Sequence, residues 1–201
     1  MPDGKITRPV VVFDAFGTVV QFGERLSPYR KLMTWMRENG RQPQPDDAAR
    51  VMNRPLGLAG VASAFGVSPP LALLAQWELD LHTEINTIKM FPDTLPALML
   101  LRSKGYRIGL CSNLAAPYGA PVKAMLPSLD AYAWSYEAGA IKPEPAIYQY
   151  LLGQLGCAAG DILFIGDTPS ADRDGPLAFG MAARLIDRPA GQTLDDVLHD
   201  L

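Results

Sequence analysis

The run Val10-Val11-Val12-Phe13 closes on Asp14-Ala15-Phe16-Gly17-Thr18, and few folds are open to a chain that carries it. Consecutive apolar, mostly β-branched residues ending on a carboxylate and a nearby glycine predict a strand buried on both faces, as in a parallel sheet. Such a strand delivers Asp14 to the carboxyl-terminal edge of the sheet, where open α/β folds bind their ligands. An ordinary strand-to-loop turn uses the same residue types. The segment therefore gains meaning only from what the other strands bring to the same edge.

Four more segments read as strands: Tyr106 to Cys111, Ala131 to Tyr136, Asp161 to Ile165 and Met181 to Ile186. Helical patterns separate or flank them over Thr94 to Lys104, Ala120 to Leu126, Pro145 to Leu155 and Asp174 to Phe179. Alternating strand and helix predicts a parallel sheet covered on both faces, an α/β architecture. Residues 20–90 break the alternation. Tyr29, Leu32, Met33, Trp35 and Met36, and then Leu71, Leu73, Leu74, Trp77, Leu79 and Leu81, follow helical spacing. The expected organisation is a core of residues 1–19 and 91–201, with 20–90 inserted as a small all-helical domain whose Met and Trp residues form its own core.

The strand ends carry the polar residues. The first offers Asp14 and Thr18, and the second offers Ser112 and Asn113. Gly139-Ala140-Ile141-Lys142-Pro143 follows the third, and the fourth runs into Gly166-Asp167, with Asp172 five residues on. Each has an ordinary structural explanation: Ser112, Thr18 or Asp172 as a helix cap, Lys142 as a solvated loop charge, Asp167 as a turn residue. If they converge, three carboxylates meet one ammonium, and closely packed carboxylates cannot all ionise without a cation. An all-oxygen donor set of this kind suits Mg²⁺. Lys142 and the Ser112 hydroxyl would then hold a transferred phosphoryl group.

These segments resemble the motifs of the haloacid dehalogenase superfamily of hydrolases, in the family's order. Asp14-Ala15-Phe16-Gly17-Thr18 is similar to the first and Ser112-Asn113 to the second. Lys142-Pro143-Glu144-Pro145 is similar to the third, and Gly166-Asp167-Thr168-Pro169-Ser170-Ala171-Asp172 to the fourth. The resemblance implies a Rossmann-like three-layer core with a helical cap inserted after the first motif. It also implies that Asp14 is a nucleophile forming a covalent aspartyl intermediate, with Lys142 as its catalytic partner. Thr18, Ser112, Asn113 and Lys142 would bind substrate. Asp14, the Phe16 carbonyl and Asp167 would bind Mg²⁺, with Asp172 a further ligand or a support behind them.

Two departures pull in opposite directions. Phosphatases of the family usually carry a second Asp two residues after the nucleophile, and here Phe16 stands there, unable to transfer a proton. Haloacid dehalogenases carry an aromatic residue at that place, expel halide and need no metal. They generally replace the first acid of the fourth motif, however, and Asp167 is present. Arg25, Arg30 and Arg37 are the candidates for the arginine with which dehalogenases grip halide and carboxylate. The expected activity is a Mg²⁺-dependent phosphatase of small phosphorylated metabolites. The alternatives are an (S)-2-haloacid dehalogenase or a weakly active phospho-ligand or partner-binding member.

Net charge is −3, with no basic block, so neither nucleic acid nor an anionic membrane is an expected partner. Cys111 and Cys157 lack metal-ligand spacing, and Cys111 lies inside an apolar run, as a buried thiol would. Two histidines, His82 in the insertion and His199 near the end, give little support to Ser/His/Asp chemistry. The opening Met1-Pro2-Asp3-Gly4-Lys5 shows no hydrophobic signal region and no run approaches a membrane span, so a cytoplasmic location is expected.

Overall fold

The computed structural model describes residues 9–201; the opening Met1 to Lys5 lies outside them. Strand β1 (Val10–Phe13) is followed by a two-residue strand, β2 (Val20–Gln21). Four helices come next: α1 (Pro28–Glu38), α2 (Asp47–Met52), α3 (Leu58–Ala64) and α4 (Leu71–Asn86). Strand β3 (Lys89–Met90) then pairs antiparallel with β2, so the helical segment leaves and rejoins the core at one place. The chain continues through α5 (Thr94–Ser103), β4 (Arg107–Ser112), α6 (Gly119–Met125), β5 (Ala131–Trp134) and α7 (Ser135–Ala138). It ends with α8 (Pro145–Leu155), β6 (Ile162–Gly166), α9 (Gly175–Phe179), β7 (Ala182–Leu185) and α10 (Leu194–Leu198).

Five strands form one parallel sheet in the order β5-β4-β1-β6-β7. The first strand is central, and the order reverses beside it, which opens a crevice at its carboxyl end. Val11 and Phe13 pack with α5, α6 and α10 on one face. Val10 and Val12 pack with Ile147, Leu151 and Leu155 of α8 on the other. Successive side chains of a strand point to opposite faces, and both faces are covered, so every position must be apolar. Burying each valine contributes about 1.5–3 kcal/mol.

The insertion is helical, as its spacing requires. Pro28, Leu32 and Met36 form the buried stripe of α1, and Trp77 and Leu81 that of α4. Contrary to the expectation of a separate core for the insertion, Leu32, Met36, Trp77 and Leu81 join the apolar cluster that holds Phe13, because the helices pack directly on the sheet domain. Its junction with the core is welded by hydrogen bonds. The Val19 carbonyl accepts from Phe91 N (3.1 Å) and Thr94 Oγ1 (2.8 Å), and the Thr18 carbonyl accepts from Arg188 Nε (3.1 Å) and Nη2 (2.6 Å). Among the described residues no helix is long and apolar enough to cross a membrane.

The structure departs from the sequence reading in four places. The aromatic strand stops at Trp134 because Ser135 turns inward. Its fully buried hydroxyl accepts from Leu114 N (3.0 Å) and donates to the Met52 carbonyl (2.8 Å), tying core to insertion. Pro169–Asp174 winds as a π-helical turn before α9. Strands β2 and β3 are too short to leave a periodic pattern. Helix α10 was signalled by Thr193-Leu194-Asp195-Asp196, a capping box in which Thr193 and Asp196 exchange side chain-to-backbone bonds.

Candidate active site

The polar residues after β1, β4, α7 and β6 meet in the crevice. Asp14 follows the last residue of β1, and its backbone N–H still reaches the Ile165 carbonyl of β6 (2.8 Å), which fixes its position rigidly. Lys142 enters from the loop after α7 and donates through one Nζ to Asp14 Oδ1 and to Asp172 Oδ1, each at 2.6 Å. Asp14, Lys142 and Asp172 are 7%, 3% and 1% exposed, so these bonds form largely out of water. Asp172 Oδ2 accepts from Thr168 N (2.9 Å), which closes the π-helical turn over it.

Asp167 is exposed and faces the same space, and carboxylate oxygens of Asp14, Asp167 and Asp172 lie within 4.8 Å of one another. Two glycines make this approach possible. A Cβ at Gly17, whose φ is +79°, would run into the Asp167 carboxylate, and one at Gly166 would run into Asp172. The cavity so formed has a volume of about 450 Å³, and Ser112, Asn113 and Phe16 are among the other residues of its wall.

The electrostatics follow from burial and crowding. Burial pushes the Asp14 carboxyl up to about 6, with the Asp172 and Asp167 charges adding to the rise against the attraction of Lys142. Burial also raises Asp167, and Asp172 adds to it. Burial alone would lower Lys142, but the Asp14 and Asp172 carboxylates outweigh it and hold the ammonium above the ordinary lysine range. Lys142 is the cation bonded to the acids, and the second cation of the wall, Arg25, pairs with none of the three. The donor set therefore fits a hard divalent cation, which would relieve the crowding that raises Asp14 and Asp167. The Phe16 carbonyl stands outside the hydrogen bonds of its turn, which run from Thr18, Val19 and Val20 N to the Ala15 carbonyl and from Gly17 N to the Val20 carbonyl.

Two sequence expectations, for Asn113 and Thr18, look different in the structure, and Phe16 gains neighbours that the sequence did not show. Asn113 lines the cavity, but its amide is spent on the Lys142 backbone, accepting from Lys142 N (2.7 Å) and donating to the Lys142 carbonyl (2.9 Å). It sets the lysine in place. Thr18 is wholly buried, its Oγ1 finds no hydrogen-bond partner, and it is not part of the cavity wall. Phe16 stacks on Phe22 at 4.1 Å between ring centroids and 9° between planes, and Tyr118 stands at 82° to both rings, 5.9 and 5.8 Å away. At the position where the sequence lacks a second carboxylate, an aromatic cluster stands.

The sequence reading did not place Gln21, Phe22 and Thr168 in the wall of the cavity. Of the three arginines, Arg25 lines this cavity, Arg30 lines a neighbouring one, and Arg37 lines neither. Cys111 is fully buried with its thiol pushed up to about 12 by burial, which makes it an inert core residue.

The family model for haloacid dehalogenase-like hydrolases matches residues 9–180. The chain belongs to that family. Within it, the chain is 35% identical over 116 residues to a phosphatase of Mycobacterium tuberculosis, a span of 55% of this chain and 52% of that protein. It thus spans about half the length of the curated relatives it first matches. A haloacid dehalogenase-like enzyme of Bacteroides thetaiotaomicron, solved in complex with magnesium and inorganic phosphate, superposes with a TM-score of 0.65 at 17% identity, covering 94% of this chain and 98% of that one. A 2-haloacid dehalogenase of Pseudomonas syringae pv. Tomato superposes with a TM-score of 0.63 at 21% identity, covering 92% and 89%. At these identities the two structures speak to the fold, which phosphatase and dehalogenase share.

Proposed function

We propose that this haloacid dehalogenase-like hydrolase is a Mg²⁺-dependent phosphatase of small phosphorylated metabolites that works through Asp14. The observation that carries the reading is the bridge from Lys142 to Asp14 and Asp172, with Asp167 close by: a site too acidic to admit a phosphate without a cation. The phosphatase relative supports it. Asp14, the Phe16 carbonyl and Asp167 would hold the ion, and Asp172 keeps Lys142 in place behind them. Bound Mg²⁺ supplies charge neutralisation at the phosphoryl oxygens. Residues 20–90 act as the cap over the site.

In the first step an Asp14 carboxylate oxygen attacks phosphorus, and the bond to the leaving oxygen breaks with its electron pair. Lys142 and the Ser112 hydroxyl orient the phosphoryl oxygens. Water then cleaves the acyl phosphate, releasing phosphate and restoring Asp14. With Phe16 in place of a carboxylate, the leaving group departs as an anion, so aryl and acyl phosphates should far outrun alkyl phosphates. Incubation with p-nitrophenyl phosphate tests the reading: release that depends on Mg²⁺ and stops in EDTA is expected. No release above an Asp14→Asn control would defeat it. Phe16 also favours a second reading, 2-haloacid dehalogenation, for which chloride release from 2-chloropropionate in EDTA would be the sign.

Restoring the missing group should widen the substrate range. Phe16→Asp is expected to raise turnover of an alkyl phosphate by about 10²-fold, the usual worth of general acid catalysis. The change also removes the ring stack with Phe22, so circular dichroism and Mg²⁺ titration must accompany the rates. A folded, Mg²⁺-binding variant with no gain would show that proton transfer is not what limits the enzyme.

A further inference from the structure

A second cavity, of about 680 Å³, opens beside the first between the helical insertion and the core. Its wall is largely aromatic and apolar: Phe16, Phe22, Tyr29 and Tyr118, with Met52 and Leu114. It holds one carboxylate, Glu84, which is 2% exposed and already accepts from Tyr118 Oη (2.9 Å) and Ser27 N (3.3 Å). Four residues belong to the walls of both cavities: Phe16, Phe22, Arg25 and Asn113. A substrate whose phosphoryl group sits at Asp14 and whose remainder occupies the second chamber must pass between them.

At that junction the chemistry is decided by elimination. Phe16 and Phe22 are stacked rings with no donor to offer. The Asn113 amide is turned to the Lys142 backbone, with which it exchanges two bonds, and carries no charge to set against a departing anion. Arg25 remains. Its guanidinium carbon lies 5.2 Å from the Phe22 ring centroid, and among the described residues no carboxylate comes within ion-pair distance of it. An arginine resting on a ring keeps its charge while its fork stays free to donate.

Resting on the phosphatase reading, we propose that the second chamber receives a planar aromatic leaving group and that Arg25 stabilises the negative charge on its departing oxygen. The bond between phosphorus and the aryl oxygen breaks as Asp14 attacks, and the electron pair leaves with the oxygen as a phenolate. No proton is transferred in this step. Arg25 replaces, by charge alone, what a carboxylic acid at position 16 would do by proton donation. A planar group lying against Phe16 and Tyr118 displaces water from the chamber and strengthens that interaction at the moment of cleavage.

The test is a series of substituted phenyl phosphates whose phenols span a range of acidity, assayed on wild type, Arg25→Ala and Arg25→Lys. The loss in kcat for Arg25→Ala should grow as the leaving group becomes more basic. Less than about tenfold is expected on p-nitrophenyl phosphate and roughly 10²-fold on phenyl phosphate. Arg25→Lys should recover part of the loss on phenyl phosphate. A loss by the same factor on every ester, or no loss, would overturn the role of Arg25 while leaving the phosphatase reading intact. Failure of wild type to hydrolyse any ester of the series would overturn both.

Discussion

Replacing Lys142 by Met is expected to destabilise the protein by about 3–5 kcal/mol and to reduce phosphate release by roughly 10³-fold. Lys142 is 3% exposed and is the ammonium shared by Asp14 and Asp172 at 2.6 Å each. Met fills much of the same volume, so the loss is electrostatic. Two buried carboxylates would face one another with no compensating charge, and removing one partner of a buried ion pair costs far more than the pair's net worth. The destabilisation should shrink as pH falls and the carboxylates protonate. Thermal unfolding at several pH values, beside p-nitrophenyl phosphate assays with Mg²⁺, checks both parts. An unchanged melting temperature would show that Lys142 does not hold the acids together.

Asp14→Asn should have the opposite effect on stability and a larger one on activity. The amide cannot attack phosphorus, so hydrolysis should fall to background. The fold keeps a neutral pair, because Lys142 still meets Asp172. Asp14 is raised in the folded protein from 3.8 to about 6, so between these pH values the unfolded chain has released a proton that the folded one retains. Folding stability of wild type therefore falls as pH rises through this window, and the charge of Asp14 is a cost that Asn removes. In EDTA the variant should match wild type below about pH 4 and exceed it by on the order of 3 kcal/mol above pH 6. Saturating Mg²⁺ should narrow the gap by stabilising wild type. Unfolding curves across pH, with and without the ion, provide the check. A variant less stable than wild type at neutral pH in EDTA would count against a strained Asp14.

Much of this architecture is legible in the chain because burial on two faces leaves no freedom of composition. Val10 to Phe13 and Ile108 to Cys111 can only be interior strands, and the polar residues that end them must lie at one edge of the sheet. What is not legible depends on contacts between distant segments. The Asn113 side chain looks like a ligand-binding amide, yet its partner is a backbone 29 residues away. Thr18 sits among functional residues, yet its side chain turns wholly inward, while its carbonyl anchors Arg188 from the far end of the chain. Ser135 ends a strand early for the sake of two bonds, one of them to the insertion. Phe16 is visible in the sequence as an absent acid. Only the packing of Phe22, Tyr118 and Arg25 around it shows what stands there instead.

The central claim is that Asp14 becomes phosphorylated during turnover. Rapid acid quench of the enzyme with excess p-nitrophenyl phosphate and Mg²⁺, followed by peptide mass mapping, reads it directly. A phosphoryl adduct on Asp14, formed as fast as the first equivalent of p-nitrophenolate and absent from Asp14→Asn, is the predicted result. Phosphate release without that adduct, at a rate that Asp14→Asn retains, would contradict it.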